Sequence, residues 1–340
     1  MTRARLYRPS DEPELVRLAA SPMPGWVRLR YDYSSGYAAA EALKGDFEIV
    51  VVEDGDGRVA GCGTRSTRLR FLDGEPRKIG YLSGLRSFTG PRGGFGFYRG
   101  LMILRELEDA NPNEFTFTTI LDDNPEARAL LTSGRAGLPK YRQHGGVVTY
   151  ALGALRGEEP ERAPFDELKE FYARESPRRQ LFPVFGTVLP PGLSADDFFC
   201  IRRGGRIAAA GAVWDHGNSR RIVVDGYDWR LRFLRSALNA VFVVSSSPRL
   251  PAPGCEFACS YLAYARAEND DPALFGELLD AARRICRGRS LVLSLHSDDP
   301  LARVAAKLGG WRYGSAFMTV EFDGMARELR GVPHVEAGAL

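Results

Sequence analysis

The sequence predicts an α+β fold built twice along one chain. Three observations predict it. Apolar residues alternate at strand spacing in some segments and recur at helical spacing in others. Four pairs of segments match, in the same order, between the two halves. A polar, proline-bearing stretch lies between those halves.

The first half reads element by element. Asp11 and Glu14 form an N-terminal cap pair, and Leu15, Leu18 and Ala19 follow at helical spacing. Residues 47–53 are rich in β-branched side chains and read as a strand. Asp54-Gly55-Asp56-Gly57 is a hairpin turn, because glycine tolerates the positive φ such turns need. Residues 59–69 return as the next strand, and 79–86 form another. Leu101, Leu104 and Leu107 mark an amphipathic helix over 98–108. Residues 115–121 are a strand, 125–131 a helix opened by proline, and 146–150 a closing strand.

The second half retraces this order. Its first helix carries Leu168, Phe171 and Tyr172, a hairpin spans 198–201 and 207–214, and a strand covers 257–265. A helix over 274–286, a strand over 291–295, a helix over 300–308 and a strand over 316–322 complete it. An insertion over about 230–254 starts as a helix and ends in Pro248-Arg249-Leu250-Pro251-Ala252-Pro253.

The repeat rests on four collinear matches. Asp56-Gly57-Arg58-Val59-Ala60-Gly61 answers Gly204-Gly205-Arg206-Ile207-Ala208-Ala209-Ala210-Gly211. Tyr81-Leu82-Ser83-Gly84-Leu85-Arg86 answers Tyr261-Leu262-Ala263-Tyr264-Ala265-Arg266. Asp123-Asn124-Pro125-Glu126-Ala127-Arg128 answers Asp298-Asp299-Pro300-Leu301-Ala302-Arg303. Gly137-Leu138-Pro139-Lys140-Tyr141 answers Gly309-Gly310-Trp311-Arg312-Tyr313. The expected modules are therefore 1–156 and 163–326, joined near 157–164, with a poorly ordered tail over 327–340.

Composition narrows the function. The 340 residues are 44% hydrophobic and 26% charged, values of a globular protein. No apolar run reaches the roughly 18 residues of a membrane span, and residues 1–7 carry no secretion signal. A cytoplasmic protein with no membrane partner is expected. The five cysteines are odd in number and scattered, against a disulfide framework. Cys255 and Cys259 lack the further ligands a metal site needs. Only five of the 46 basic residues are lysine. That arginine bias reads as genome composition, so a nucleic-acid partner is not expected.

The order of elements and three motifs resemble the GNAT (Gcn5-related) N-acyltransferase superfamily over about residues 4–153 and 165–323. The tandem layout is similar to that of mycothiol synthase and other two-module members. The resemblance implies a mixed sheet whose central strands splay apart around the pantetheine of an acyl-CoA. It places the pyrophosphate at the strand-to-helix segment Leu85-Arg86-Ser87-Phe88-Thr89-Gly90-Pro91-Arg92-Gly93-Gly94-Phe95-Gly96-Phe97. There, backbone N–H groups, a helix N-terminus and glycines suit a bound phosphate. The family pattern is Arg or Gln, two residues, Gly, one residue, then Gly or Ala. From Arg92, the small positions fall on Phe95 and Phe97. A loop one residue shorter would use Gly94 and Gly96, with Pro91 in the basic position. A glycine-rich turn without ligand is the competing reading.

Other positions follow from the same resemblance. Asn124 matches an asparagine that meets the pantetheine, and it equally fits a plain helix cap. The tyrosine that protonates the leaving thiolate is replaced by Leu131, and by Ala306 in the second half. Backbone N–H groups of Leu85 and Ser87 are placed to polarise the thioester carbonyl. Tyr81 and Tyr141 are candidate acids, although their counterparts Tyr261 and Tyr313 favour packing roles. His144 is a candidate base or a solvent-facing loop residue, and His216 and His296 read as ordinary strand ends. The second half has Glu268, Asp270 and Asp271 where the first has its glycines, and carboxylates repel a pyrophosphate.

The expected activity is acyl-CoA-dependent transfer, most simply from acetyl-CoA, to a small-molecule or peptide amine, without a metal. The competing readings are a non-catalytic ligand-binding or scaffolding protein and, from the arginines of the insertion, a transferase using aminoacyl-tRNA.

Overall fold

The computed structural model describes residues 2–340 except 24, 88–93, 136–137, 187, 246 and 323–327. The first half runs β1 (Arg3–Leu6), α1 (Glu12–Ala19), β2 (Val27–Asp32), α2 (Tyr37–Glu41), β3 (Asp46–Glu53), β4 (Val59–Leu72), β5 (Glu75–Ser87), α3 (Gly94–Ala110), β6 (Phe115–Leu121), α4 (Pro125–Leu131) and β7 (Lys140–Leu152). The second runs α5 (Phe165–Glu175), β8 (Phe198–Arg203), β9 (Arg206–Trp214), β10 (Arg221–Tyr227), α6 (Trp229–Ser245), β11 (Cys259–Ala267), α7 (Pro272–Ile285), β12 (Ser290–His296), α8 (Ala302–Lys307) and β13 (Trp311–Glu321). This is a mixed α+β architecture.

The sheet does not divide at the linker. One sheet takes the order β1-β3-β4-β5-β6-β13-β7-β12-β11-β9-β8. The closing strands are exchanged: β13 of the second half pairs with β6, and β7 of the first pairs with β12. The two then pair with each other at the centre, from Trp311↔Ala151 to Glu321↔Lys140. Each half therefore borrows its last strand from the other.

Helices cover both faces. On one, α1 and α2 bury Leu15, Leu18, Tyr37 and Ala40 against Ile49, Val51 and Cys62, and α5 does the same for the second half with Leu168, Phe171 and Tyr172. On the other, Leu101 and Leu104 of α3 meet Val50, and α7 packs Phe275, Leu278 and Leu279 on β11 and β12. The C-terminal end of α3 is tied down by Arg65, wholly buried, whose guanidinium contacts Glu108 at 2.7 Å and Glu48 at 3.0 Å.

Two features depart from expectation. A second, two-stranded sheet joins β2 to β10 across 190 residues of chain, from Arg221↔Asp32 to Tyr227↔Val27. The end of the chain, expected to be loose, is docked: Val335, Ala337 and Ala339 are buried. Glu336 accepts a hydrogen bond from the Tyr264 backbone N–H at 2.8 Å and pairs with Arg68 at 3.2 Å. Arg220 donates to the carbonyls of Gly338 and Leu340. The residues are small because space is short. A Cβ on Gly338 would come within 2.7 Å of the Trp214 ring.

Burial works against the charged Glu336 carboxylate. The His334 ring and the guanidinium of Arg68 outweigh it and hold the group at about 2 rather than 4.5. A depressed carboxyl stabilises the fold fully above its unfolded value and loses that contribution as pH falls toward the folded one. Acid titration followed by circular dichroism should therefore show Glu336-dependent loss of stability between about pH 4.5 and 2. Glu336→Ala should cost about 3–5 kcal/mol in urea unfolding, because it strands the Arg68 charge, and should remove that part of the acid dependence.

Candidate functional site

The geometry of the central gap follows from hydrogen-bond partners. Parallel strands β5 and β6 pair only from Ile79↔Phe115 to Leu82↔Thr118. Beyond that, β5 stays with β4 up to Ser87↔Gly61, while β6 stays with β13 up to Leu121↔Ser315. Both strands keep a partner on the outer side, so they diverge without leaving their ladders. The Thr118 hydroxyl donates to the Leu82 carbonyl at 2.7 Å and closes the apex.

Just past the apex β5 bulges. Its register against β4 slips between Cys62 and Thr64, and Gly84 takes a φ of +64°. Only glycine fits there, since a Cβ would also overlap the Tyr37 hydroxyl. The carbonyl of Arg86 lies toward β4, 2.9 Å from where a Gly61 Cβ would stand. Neighbouring residues of a strand point their backbone groups the opposite way. The N–H groups of Leu85 and Ser87 thus face the gap, and the Leu85 side chain is exposed beside it.

The sequence-predicted cofactor residues fall as follows. Arg92 and Gly93 lie outside the described residues. Gly94 and Phe95 open α3, where a helix leaves its first N–H groups without internal partners. Gly96 faces the sheet, and a Cβ there would lie 2.8 Å from Val52 Cγ1, so its small size serves helix–sheet packing. Phe97 packs against both the Leu101 cluster and the Ile120–Leu131 cluster, forming an apolar wall between α3 and α4. Asn124 caps α4, accepting from the Ala127 N–H at 3.1 Å.

The two tyrosine candidates lie in different surroundings. Tyr81 is buried, stacks near Phe117 and shares a 3.0 Å hydrogen bond with Thr119, one residue past the apex. Burial pushes its hydroxyl up to about 12. Tyr141 packs against Leu131, Ile120 and Met318, so it adjoins the side chain that stands where the resembled family has its tyrosine. Burial raises its hydroxyl as well. Tyr141 and Tyr313 do not occupy equivalent surroundings. A bulge in β7, with Gly145 at φ +70° against the His296 ring, shifts the register of β7 on β13, and the two residues end in different surroundings. Tyr313 lies with Thr149, Tyr31 and Arg220.

The histidines are not poised as bases. His216 is sandwiched between Tyr261 at 4.1 Å and Trp214 at 4.6 Å, and burial, with Arg220 adding to it, pushes it down to about 2. Burial also lowers His144, next to Arg142. His296 is buried and uses Nε2 on the His144 carbonyl at 2.7 Å. His296 ends β12 as its sequence context suggested, whereas His144 lies within β7 rather than in a loop and His216 follows the end of β9.

Sequence reasoning missed a polar cluster on the α1–α2 face. Lys44 and Glu41 are both buried, with Nζ donating to each carboxylate oxygen and to Ser83 Oγ at 2.8 Å. Ser83 is next to the bulge. Arg220 lies over the rings of Tyr31 at 5.3 Å and Tyr261 at 5.6 Å. Half-exposed Tyr313 continues this wall. The Tyr31-Asp32-Tyr33 run was the available signal.

The second gap has the same frame and is filled. β11 and β12 pair from Cys259↔Ser290 to Tyr261↔Val292 and then part. The bulge residue is Tyr264, at φ +52°, wholly buried among Tyr172, Phe182, Phe185 and Phe198. Its N–H is held by Glu336 and its carbonyl by the Tyr172 hydroxyl at 2.8 Å. At the helix that follows, Asp271 accepts from the N–H groups of Ala273 and Leu274 at 2.7 and 3.0 Å.

Gly84→Ala should lower stability by about 1–3 kcal/mol, from the left-handed φ and the overlap with Tyr37. Tyr37→Phe should recover part of that loss. A double-mutant cycle in urea unfolding measures it, and strictly additive losses would show that Tyr37 is not what Gly84 makes room for.

No family profile and no curated protein matches the chain by sequence. Solved structures do match in fold. A GCN5-related glucosamine N-acetyltransferase region of a fungal multi-domain β-N-acetylglucosaminidase aligns with a TM-score of 0.60 at 12% identity, over 94% of this chain and 38% of that one. N-myristoyltransferase of Saccharomyces cerevisiae, solved with bound myristoyl-CoA, gives 0.57 at 10% identity, over 94% and 79%. A GCN5-related N-acetyltransferase of Anabaena variabilis gives 0.51 at 8% identity, over 95% and 73%. These likenesses show that the chain has the fold of the GCN5-related N-acyltransferases.

Proposed function

We propose that the chain is an acyl-CoA-dependent N-acyltransferase with one cofactor site, in the gap between β5 and β6. The observation that carries this reading is the asymmetry between the two gaps. In the first, the bulge residue Gly84 brings no side chain and Leu85 is exposed. In the second, Tyr264, Glu336 and Asp271 occupy the equivalent groups. The neighbour holding myristoyl-CoA supports acyl-CoA as the donor class.

In this reading the pantetheine enters along the apolar wall of Phe97 and Leu131. The N–H group of Leu85 polarises the thioester carbonyl as it becomes an oxyanion. The amine approaches from the α1–α2 face, where Tyr81, Ser83 and the Glu41–Lys44 pair lie. Tyr141, beside Leu131, takes the place of the missing proton donor. A phenol there supplies the proton that the departing thiolate takes up.

Calorimetry of the full chain with acetyl-CoA and longer acyl-CoAs should show one molecule bound per chain. Asp270→Asn should leave that affinity unchanged, since Asp270 serves Arg266 and Arg179 in the second half. Tyr141→Phe should slow transfer about a hundredfold with an ordinary CoA thioester. It should slow transfer much less with thioesters of more acidic thiols. Two molecules per chain would end the asymmetric reading. No binding by the wild type would favour a scaffold that has kept the fold.

A further inference from the structure

The insertion that follows β10 builds α6, and its outward side is apolar. Phe233 is 80% exposed, Trp229 67% and Val241 60%, and Leu234 is exposed beside them. Trp229, Phe233, Ala237 and Val241 recur every four residues and form one stripe. Trp26, also exposed, adjoins the start of the helix through its carbonyl, which accepts from the Asp228 N–H at 2.9 Å. The inward side is a different surface, with Leu231, Leu238 and Phe242 on the core and Asn239 bonded to both backbone groups of Leu250. The stripe is therefore not a core face left uncovered by a misplaced helix.

Charge selects among occupants. From Trp229 to Ser245 the helix has no Asp or Glu, while Arg230 and Arg232 are exposed beside the stripe. A second copy of the helix would bring the same arginines and no carboxylate to meet them. Single-stranded nucleic acid would use the arginines and stack on Trp229, but it gives no reason for exposed Leu234 and Val241, which cannot stack with bases. An anionic lipid surface satisfies both sets. Aromatic and aliphatic side chains enter the headgroup boundary, and the flanking arginines meet phosphates.

We propose that α6, with Trp26, is an attachment surface for anionic lipid bilayers, by which the protein binds a membrane peripherally. Among the described residues no helix is long and apolar enough to cross a membrane. The expectation of no membrane partner rested on that kind of segment, which a helix lying in the surface does not need.

The test is flotation of the full chain with phosphatidylcholine vesicles and with vesicles of phosphatidylcholine and phosphatidylglycerol in equal parts. Binding should need the anionic lipid and weaken as salt rises. It should shift tryptophan emission to the blue, since Trp214 is already buried, Trp311 is packed on Phe257, and the change falls on Trp26 and Trp229. Phe233→Ser with Val241→Ser should abolish binding. Arg230→Glu with Arg232→Glu should weaken it about twentyfold or more, from roughly fivefold per arginine. All variants should keep the wild-type melting temperature, because the altered side chains point outward. No binding by the wild type, or binding that survives both double variants, would overturn the proposal. So would sedimentation equilibrium showing a dimer that Phe233→Ser with Val241→Ser dissociates, or RNA binding that the arginine pair alone controls.

Discussion

The exchange of the closing strands constrains everything else. β13 holds the outer edge of β6, and β7 holds the outer edge of β12. Without them, each parallel pair would have one partner fewer, and β6 and β12 could recover hydrogen bonds only by closing on β5 and β11. Unpaired backbone groups inside a protein cost too much to leave open. The gaps are thus possible because each half supplies the strand that lets the other stay open. Neither half completes this sheet alone, which explains why a clear linker in sequence does not mark a division in space.

Two equivalent gaps in one molecule then had different fates, and single residues show how. Gly84 brings no side chain to the first bulge, and the Tyr37 hydroxyl stands against it. Tyr264, at the matching position, puts a large ring into the second and accepts the cost of a positive φ that side chains rarely adopt. The ring is surrounded by aromatic partners at 5.5–6.2 Å, and burial of that much apolar surface offsets the strain. The docked end of the chain completes the filling through Glu336. The carboxylates seen in sequence as repelling a phosphate act more locally than that. Asp271 caps its own helix, and Asp270 serves two buried arginines.

Most of the elements were legible because periodicity is local. The strands over 47–53 and 115–121 and the helix through Leu101 and Leu104 follow from spacing alone. Asp73-Gly74, with positive φ at both positions, is a two-residue hairpin turn that was equally readable, and it extends β4 and β5 beyond the limits that hydrophobicity suggested. What escaped was non-local. The β2–β10 ribbon pairs residues with no sequence signal of each other. The end of the chain looks loose by composition, yet it is rich in small residues because Trp214 leaves them no room. At the candidate site, Leu85, Ser87 and Asn124 follow from strand and cap logic. Gly96 belongs to packing, and the Glu41–Lys44–Ser83 cluster needs three separate elements to meet.

The chemistry left to such a site is set by what its side chains can still exchange. His216 is held neutral, and Lys44 and Glu41 satisfy one another, with Ser83 as their third partner. Burial lowers His144 as well, and His296 is committed to the His144 carbonyl. The proposed acyl transfer therefore depends less on a strong base than on fixed dipoles at the carbonyl and on the acidity of the leaving thiol. A CoA thiolate is already a fair leaving group near pH 8.5. The amine loses its proton readily once the tetrahedral carbon has formed. A rigid bulge such as Gly84–Leu85, held by the β4 ladder before and after it, is well suited to that division of labour, because preorganised N–H groups need no rearrangement as charge develops.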